Sequence, residues 1–157
     1  MARTAKKKAL TLEEKLQQAL VPVEEQPYPV PDNWVWAYLS SVARWGSGGT
    51  PSRKVPEYYE GDIPWIKTGE LNDAYIYESE EAISQLGLLK SSAKIFPINT
   101  VIVAMYGATI GELGILGVEA TTNQACACAV TNQLVVFYKY LFYYLMSNVV
   151  NLVSKKP

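Results

Sequence analysis

Thr100-Val101-Ile102-Val103-Ala104-Met105 is an apolar, largely β-branched run that ends at Gly107. Such residues lose rotamer freedom in a helix and fit a pleated sheet, so the run is read as a strand. The Tyr106-Gly107-Ala108-Thr109-Ile110-Gly111 that follows is bracketed by two glycines, the punctuation of a hairpin-like turn. Downstream, Leu113 to Leu116 and Ala125 to Val130 read as two more strands, separated by Gly117 and by Thr121-Thr122-Asn123. Upstream, Ile63-Pro64-Trp65-Ile66-Lys67 is a short strand in which Pro64 argues for an edge or entry position. Trp34, Trp36 and Tyr38 suggest an entering strand, Leu39 to Val42 a turn of helix, and Trp45 to Ser52 a Gly-rich loop. Ile83 to Leu89 reads as a helical turn stopped by Gly87. Short strands with this punctuation predict an α+β fold, a mainly β domain with short helices.

The flanks differ from this centre. Residues 1–9 read as a basic tail. Thr11 to Leu20 predicts a helix, with Thr11 and Glu14 at capping-box spacing and an apolar stripe of Leu12, Leu16, Ala19 and Leu20. Pro22, Pro27, Pro29 and Pro31 then enforce an extended connector. Leu134 to Val153 is apolar nearly all round and close to the length of about 20 residues that a bilayer requires. Lys139, Asn148 and Asn151 interrupt it, and a packed closing helix is preferred to a membrane span. The expected division is therefore 1–31 as tail, helical arm and connector, 32–133 as the folded core, and 134–157 as a closing aromatic helix.

Composition narrows the function. The chain has 157 residues, 49% hydrophobic and 18% charged, with 11 Tyr and 4 Trp, which suits one globular domain. It contains no His, so there is no imidazole base and no Ser-His or Cys-His pair. Phosphate-loop and dinucleotide fingerprints are missing too. Cys126 and Cys128 share one face of a strand and are too few ligands for a metal, so they read as buried thiols in a reducing, cytoplasmic setting. No signal peptide is evident, because an amphipathic charged segment follows the basic start.

A net charge of −1 does not suit a free-standing nucleic-acid binder. Between Glu57 and Glu81 there are eight acids and one base, Lys67. Binding to DNA then requires a local basic face or a partner that supplies charge.

Four stretches carry a resemblance. They are Gly48-Gly49-Thr50-Pro51-Ser52; Tyr59-Glu60-Gly61-Asp62-Ile63-Pro64-Trp65-Ile66 with Thr68-Gly69; Ile102 to Gly111; and Thr121-Thr122-Asn123-Gln124-Ala125. In this order and spacing over Trp34 to Val130, they resemble the target-recognition domains of type I restriction-modification specificity subunits. The resemblance implies a non-catalytic module that reads one half of a bipartite double-stranded DNA site. In such systems modification subunits transfer methyl groups from S-adenosylmethionine to adenine N6, and a restriction subunit, engaged indirectly, supplies ATP- and Mg-driven cleavage. This chain itself is expected to hold no cofactor and no metal. It ends where a spacer helix and second recognition domain would follow, so the expectation is a truncated half, completed by a homodimer or by a second half-specificity chain. The alternative is a truncated specificity fragment that occupies modification subunits as a regulatory module. A carbohydrate-binding module using exposed aromatics is a third reading.

Residues shared among domains that read different sequences cannot set those differences. Gly48, Pro51, Gly61, Pro64, Trp65, Gly69, Tyr106, Gly107, Gly111, Asn123 and Gln124 are therefore expected to build the scaffold. Candidate DNA contacts in the unshared loops are Arg44, Arg53, Lys54, Lys67, Asn72, Tyr75, Tyr77, Lys90, Ser91, Ser92 and Lys94, and Gly49, Thr50 and Thr109 are candidates from within the shared motifs. Arg and Lys suit phosphates or guanine edges, and hydroxyls suit either.

Overall fold

The structure is a computed structural model describing residues 10–154. The basic tail expected over 1–9 lies outside the described residues. The chain divides into two compact units, Met1–Val42 and Ala43–Pro157.

In the first unit, α1 spans Leu12–Ala19 and begins with the predicted capping box. Thr11 N–H donates to Glu14 Oε2 at 2.7 Å, and Glu14 N–H donates to Thr11 Oγ1 at 3.2 Å. Leu12 and Leu16 are exposed. The Pro-rich connector forms a closed excursion. Leu20 bridges Ala37, Val21 N–H donates to the Trp36 carbonyl at 2.9 Å, and the Trp36 indole donates to the Tyr28 carbonyl at 3.1 Å. That backbone makes one isolated bridge, at Ala37, so Trp34 to Tyr38 is not the strand the sequence suggested. The short helix α2, Leu39–Val42, is present and touches α1.

The second unit contains β1 (Ala43–Ser47), β2 (Ile63–Ile66), β3 (Ala74–Ile76), β4 (Ala82–Ile83), α3 (Gln85–Leu89), β5 (Val101–Ala104), β6 (Leu113–Leu116), β7 (Thr121–Thr122), β8 (Cys126–Thr131) and α4 (Tyr138–Ser154). Five strands form one sheet in the order β1-β8-β5-β6-β3, and three form a second in the order β4-β2-β7. The α+β class holds.

Alternation explains the core. Ile102, Ala104, Leu116, Cys126 and Cys128 belong to one buried cluster with Ile66, Leu71 and Ala120 from the second sheet and its surroundings. The intervening Val101, Leu113, Ile115 and Ala129 are buried as well. Helix α4 packs on β5 and β6 with Leu141, Phe142 and Leu145 buried. A sheet covered on both faces gives near-continuous apolar strands, as in β6, where all four residues are buried. The two thiols sit on one face as expected, and burial pushes Cys126 up to about 12 and Cys128 to about 11, which leaves them unreactive.

Several local expectations are corrected. Trp45 to Ser47 is strand, not loop, because it pairs with β8. Pro64 lies in a central strand, not an edge, though near its entry, as the second residue of β2. The missing donor of Pro64 is tolerated because Trp65 N–H supplies the bond on the β4 side, to the Glu81 carbonyl at 2.9 Å, and pairing with β7 begins only at Trp65. Gly87 lies inside α3 and does not stop it; Ser84 caps that helix at Gly87 N–H, and a β-carbon on Gly87 would meet the Tyr58 carbonyl. Thr121-Thr122 is a buried strand, not a separator. The final helix starts at Tyr138, since Asn132 holds Leu134 to Val136 in a preceding turn.

Candidate nucleic-acid interface

Strand registers bring the four singled-out stretches to one end of the five-stranded sheet. Ser47, the last residue of β1, faces Ala127 near the start of β8, and Ala104, the last of β5, faces Cys126. Gly48 to Pro51, Asn123 to Ala125 and the β5–β6 turn therefore emerge side by side. Parallel β3 starts at the same end, with Ala74 opposite Gly114. Thr68-Gly69 joins them, because β2 runs parallel to β7 and Asn123 N–H donates to the Ile66 carbonyl at 2.9 Å. Sequence reading treated these as separate loops; no local signal revealed their convergence.

Most residues here hold one another. Gly49 N–H donates to the Thr122 carbonyl at 2.9 Å, and the buried Trp65 indole donates to the Gly49 carbonyl at 2.9 Å. A β-carbon on Gly48 would overlap the Thr122 carbonyl, and one on Gly49 would overlap Ser92 and Ala93. Thr50 hydroxyl donates to Gln124 Oε1, and the buried Pro51 carbonyl accepts from Tyr59 hydroxyl at 2.7 Å. Asn123 Oδ1 accepts from Ala125 N–H at 3.1 Å. Gly61 packs against Ser84, whereas Gly69 has open space around it.

Arg53, which is exposed, and Lys67, which is half-buried, are drawn together on one carboxylate, Glu81. Arg53 pairs with Glu81 through both terminal guanidinium nitrogens, Nη2 to Oε1 at 3.1 Å, and its Cζ lies 4.1 Å from the Tyr59 ring centroid and 4.9 Å from that of Trp65. Lys67 Nζ reaches Glu80 at 2.9 Å and Glu81 at 3.0 Å. The hydrogen bond to Glu81 raises Arg53, the bonds to Glu80 and Glu81 raise Lys67, and the two cations hold Glu81 down at about 2. Glu80 and Glu81 are the partners that sequence reading missed; the signal was the acidic run itself, lying beside the only cation within it.

The other cations stand apart. Arg44 is exposed on β1 opposite Val130, toward the far end of the sheet. Lys54, Lys90 and Lys94 are exposed, as is Ser92, while Ser91 is half-buried with its hydroxyl on Ala93 N–H. Arg44, Lys54, Lys90 and Lys94 make no ion pair among the described residues. Asn72 and Tyr77 are exposed; Tyr75 stacks on Tyr77 and bonds Tyr138 through its hydroxyl at 2.8 Å. No helix among the described residues is long and apolar enough to cross a membrane.

Residues 31–156 match the type I restriction modification DNA specificity domain. The chain belongs to this family. As a specificity domain it is 28% identical over 112 residues to the EcoR124I/EcoR124II specificity subunit of Escherichia coli, covering 69% of this chain and 28% of that protein. It is 35% identical over 117 residues to the MjaIX specificity subunit of Methanocaldococcus jannaschii, covering 73% of this chain and 27% of that one. The domain thus spans about a quarter of the length of these relatives. Its fold is similar to the HsdS subunit from Thermoanaerobacter tengcongensis, with a TM-score of 0.63 and 17% identity over 90% of this chain and 33% of that one.

Proposed function

We propose that this chain is a non-catalytic reader of double-stranded DNA that takes one half of a bipartite site and directs an adenine-N6 methyltransferase partner to it. The observation that carries this reading is the match of residues 31–156 to a DNA specificity domain. The local geometry supports a division of labour. Glycines and amides of the converging motifs hold each other, and the exposed, unpaired Lys54, Lys90 and Lys94 are left for the nucleic acid. S-adenosylmethionine and ATP with Mg are bound by modification and restriction subunits in the cytoplasm, the latter engaged indirectly. A second copy, or a second half-specificity chain, reads the other half-site. With a net charge of −1, much of the phosphate neutralisation falls to those partners.

The test is long-read methylation sequencing of host DNA with the cognate modification subunit expressed with and without this chain. A new N6-methyladenine motif that depends on the chain is expected, symmetric if two copies pair. No new motif despite stable co-purification would overturn the reading.

A further inference from the structure

The β5–β6 hairpin uses its glycines and leaves its donors free. Its base is closed by Gly111 N–H to the Ala104 carbonyl at 3.0 Å, Ala104 N–H to Glu112 at 2.9 Å and Glu112 N–H to Thr109 at 3.0 Å. Gly107 and Gly111 turn the chain at φ of 92° and 90°. Beyond that base, the N–H groups of Tyr106, Gly107, Ala108 and Thr109 donate to nothing among the described residues. The hydroxyls of Tyr106 and Thr109 have no hydrogen-bond partner there either, and the Tyr106 ring is 52% exposed with no ring contact.

Four successive unpaired backbone donors and two hydroxyls, at a tip where Tyr106 to Ala108 are exposed and Thr109 is half-buried, are groups that bond an anion. The charge around them is permissive. The run Ala82 to Gly111 contains no Asp or Glu. Glu80 and Glu81, near Glu70, are paired with Lys67 and Arg53, and three further carboxylates lie at the same end of the sheet. Glu70 accepts the N–H groups of Lys67 and Glu80, Asp73 accepts that of Leu113, and Glu112 is half-buried at the hairpin base. The tip also lacks Arg, Lys, Asn and Gln, the side chains that discriminate base edges in pairs of bonds. None of its donors can read a base edge through a pair of bonds from one side chain.

We propose that Tyr106 to Thr109 contact one phosphate of the DNA backbone, fixing the register of the domain on the duplex while other loops read bases. This rests on the DNA-reading function above.

The test uses the full chain in complex with its modification subunits, titrated at several salt concentrations. The probes are a duplex carrying the motif found by methylation sequencing and a scrambled duplex. Ala108 is exposed, so either charge can be placed there without disturbing the core. Ala108→Lys is expected to tighten binding to both duplexes and steepen the salt slope by about 0.9. Ala108→Glu is expected to weaken both by at least about tenfold at low salt, and Tyr106→Phe by about threefold with the methylated motif unchanged. Opposite effects of the two charges cannot arise from misfolding. Unchanged affinity in both Ala108 variants would place the tip beyond screening distance, about 8 Å at physiological salt, and overturn the proposal. So would a Tyr106→Phe effect confined to the cognate duplex. If the unaltered complex binds neither duplex, the DNA-reading function falls and the phosphate contact with it. Salt-dependent binding that all three variants retain removes the phosphate contact alone.

Discussion

Gly48 and Gly107 lie in two motifs at the same end of the five-stranded sheet, and they are glycine for different reasons. At Gly48 the constraint is space, since any β-carbon would run into Thr122. At Gly107 nothing among the described residues lies within 4 Å of a β-carbon, and the constraint is the φ of 92°. One motif faces inward and is used up in holding β7 and Trp65; the other turns outward and keeps donors in reserve. Motif residues that look alike in sequence therefore divide into scaffold and surface only once their neighbours are known.

The difference has a size. Gly48→Ala is expected to cost about 3 kcal/mol or more, because backbone and not a flexible side chain must give way. Gly107→Ala pays only for the left-handed backbone, about 1–2 kcal/mol. Thermal unfolding of the two variants measures the gap, and equal losses would mean that the inward and outward motifs are not distinct. Smaller effects attend the surface ion network. Arg53→Ala removes a half-exposed pair and its ring contacts, worth less than about 1 kcal/mol, so the domain should melt near its native temperature. Because Glu81 is held down at about 2, its contribution is complete above its ordinary value of 4.5 and is lost as pH falls through about 2. The melting temperature of Glu81→Gln should therefore fall less between pH 5 and pH 2.5 than that of the unaltered chain; parallel declines would show that the network does not stabilise the fold.

Much of the architecture was legible locally. The run at Thr100 to Met105, the turn after it and the capping box at Thr11 each depend on residues a few positions apart. What failed needed long-range knowledge. Thr121-Thr122 reads as a separator until β2 supplies its partner, and Gly87 reads as a stop until Tyr58 packs on it. At the candidate interface, a scaffold role for Asn123 and Gln124 is an expectation from logic about shared residues; their hydrogen bonds with Ala125 and Thr50 accord with it, and the selection experiment below tests it. The pairing of Arg53 and Lys67 with Glu81 was not legible, since 28 residues separate Arg53 from its partner. A basic residue after a Gly-rich loop looks free in one dimension.

The central claim is that knitted motifs support the domain while exposed loops choose the sequence. It is tested most directly by selecting bound duplexes from a randomised pool, using the full complex with the unaltered chain, a Lys90→Ala/Ser92→Ala/Lys94→Ala variant and an Asn123→Ala/Gln124→Ala variant. The account predicts that the first variant melts normally and selects an altered or blurred motif, whereas the second loses stability and selects the original one. An unchanged motif in the first together with a changed motif in the second would contradict it.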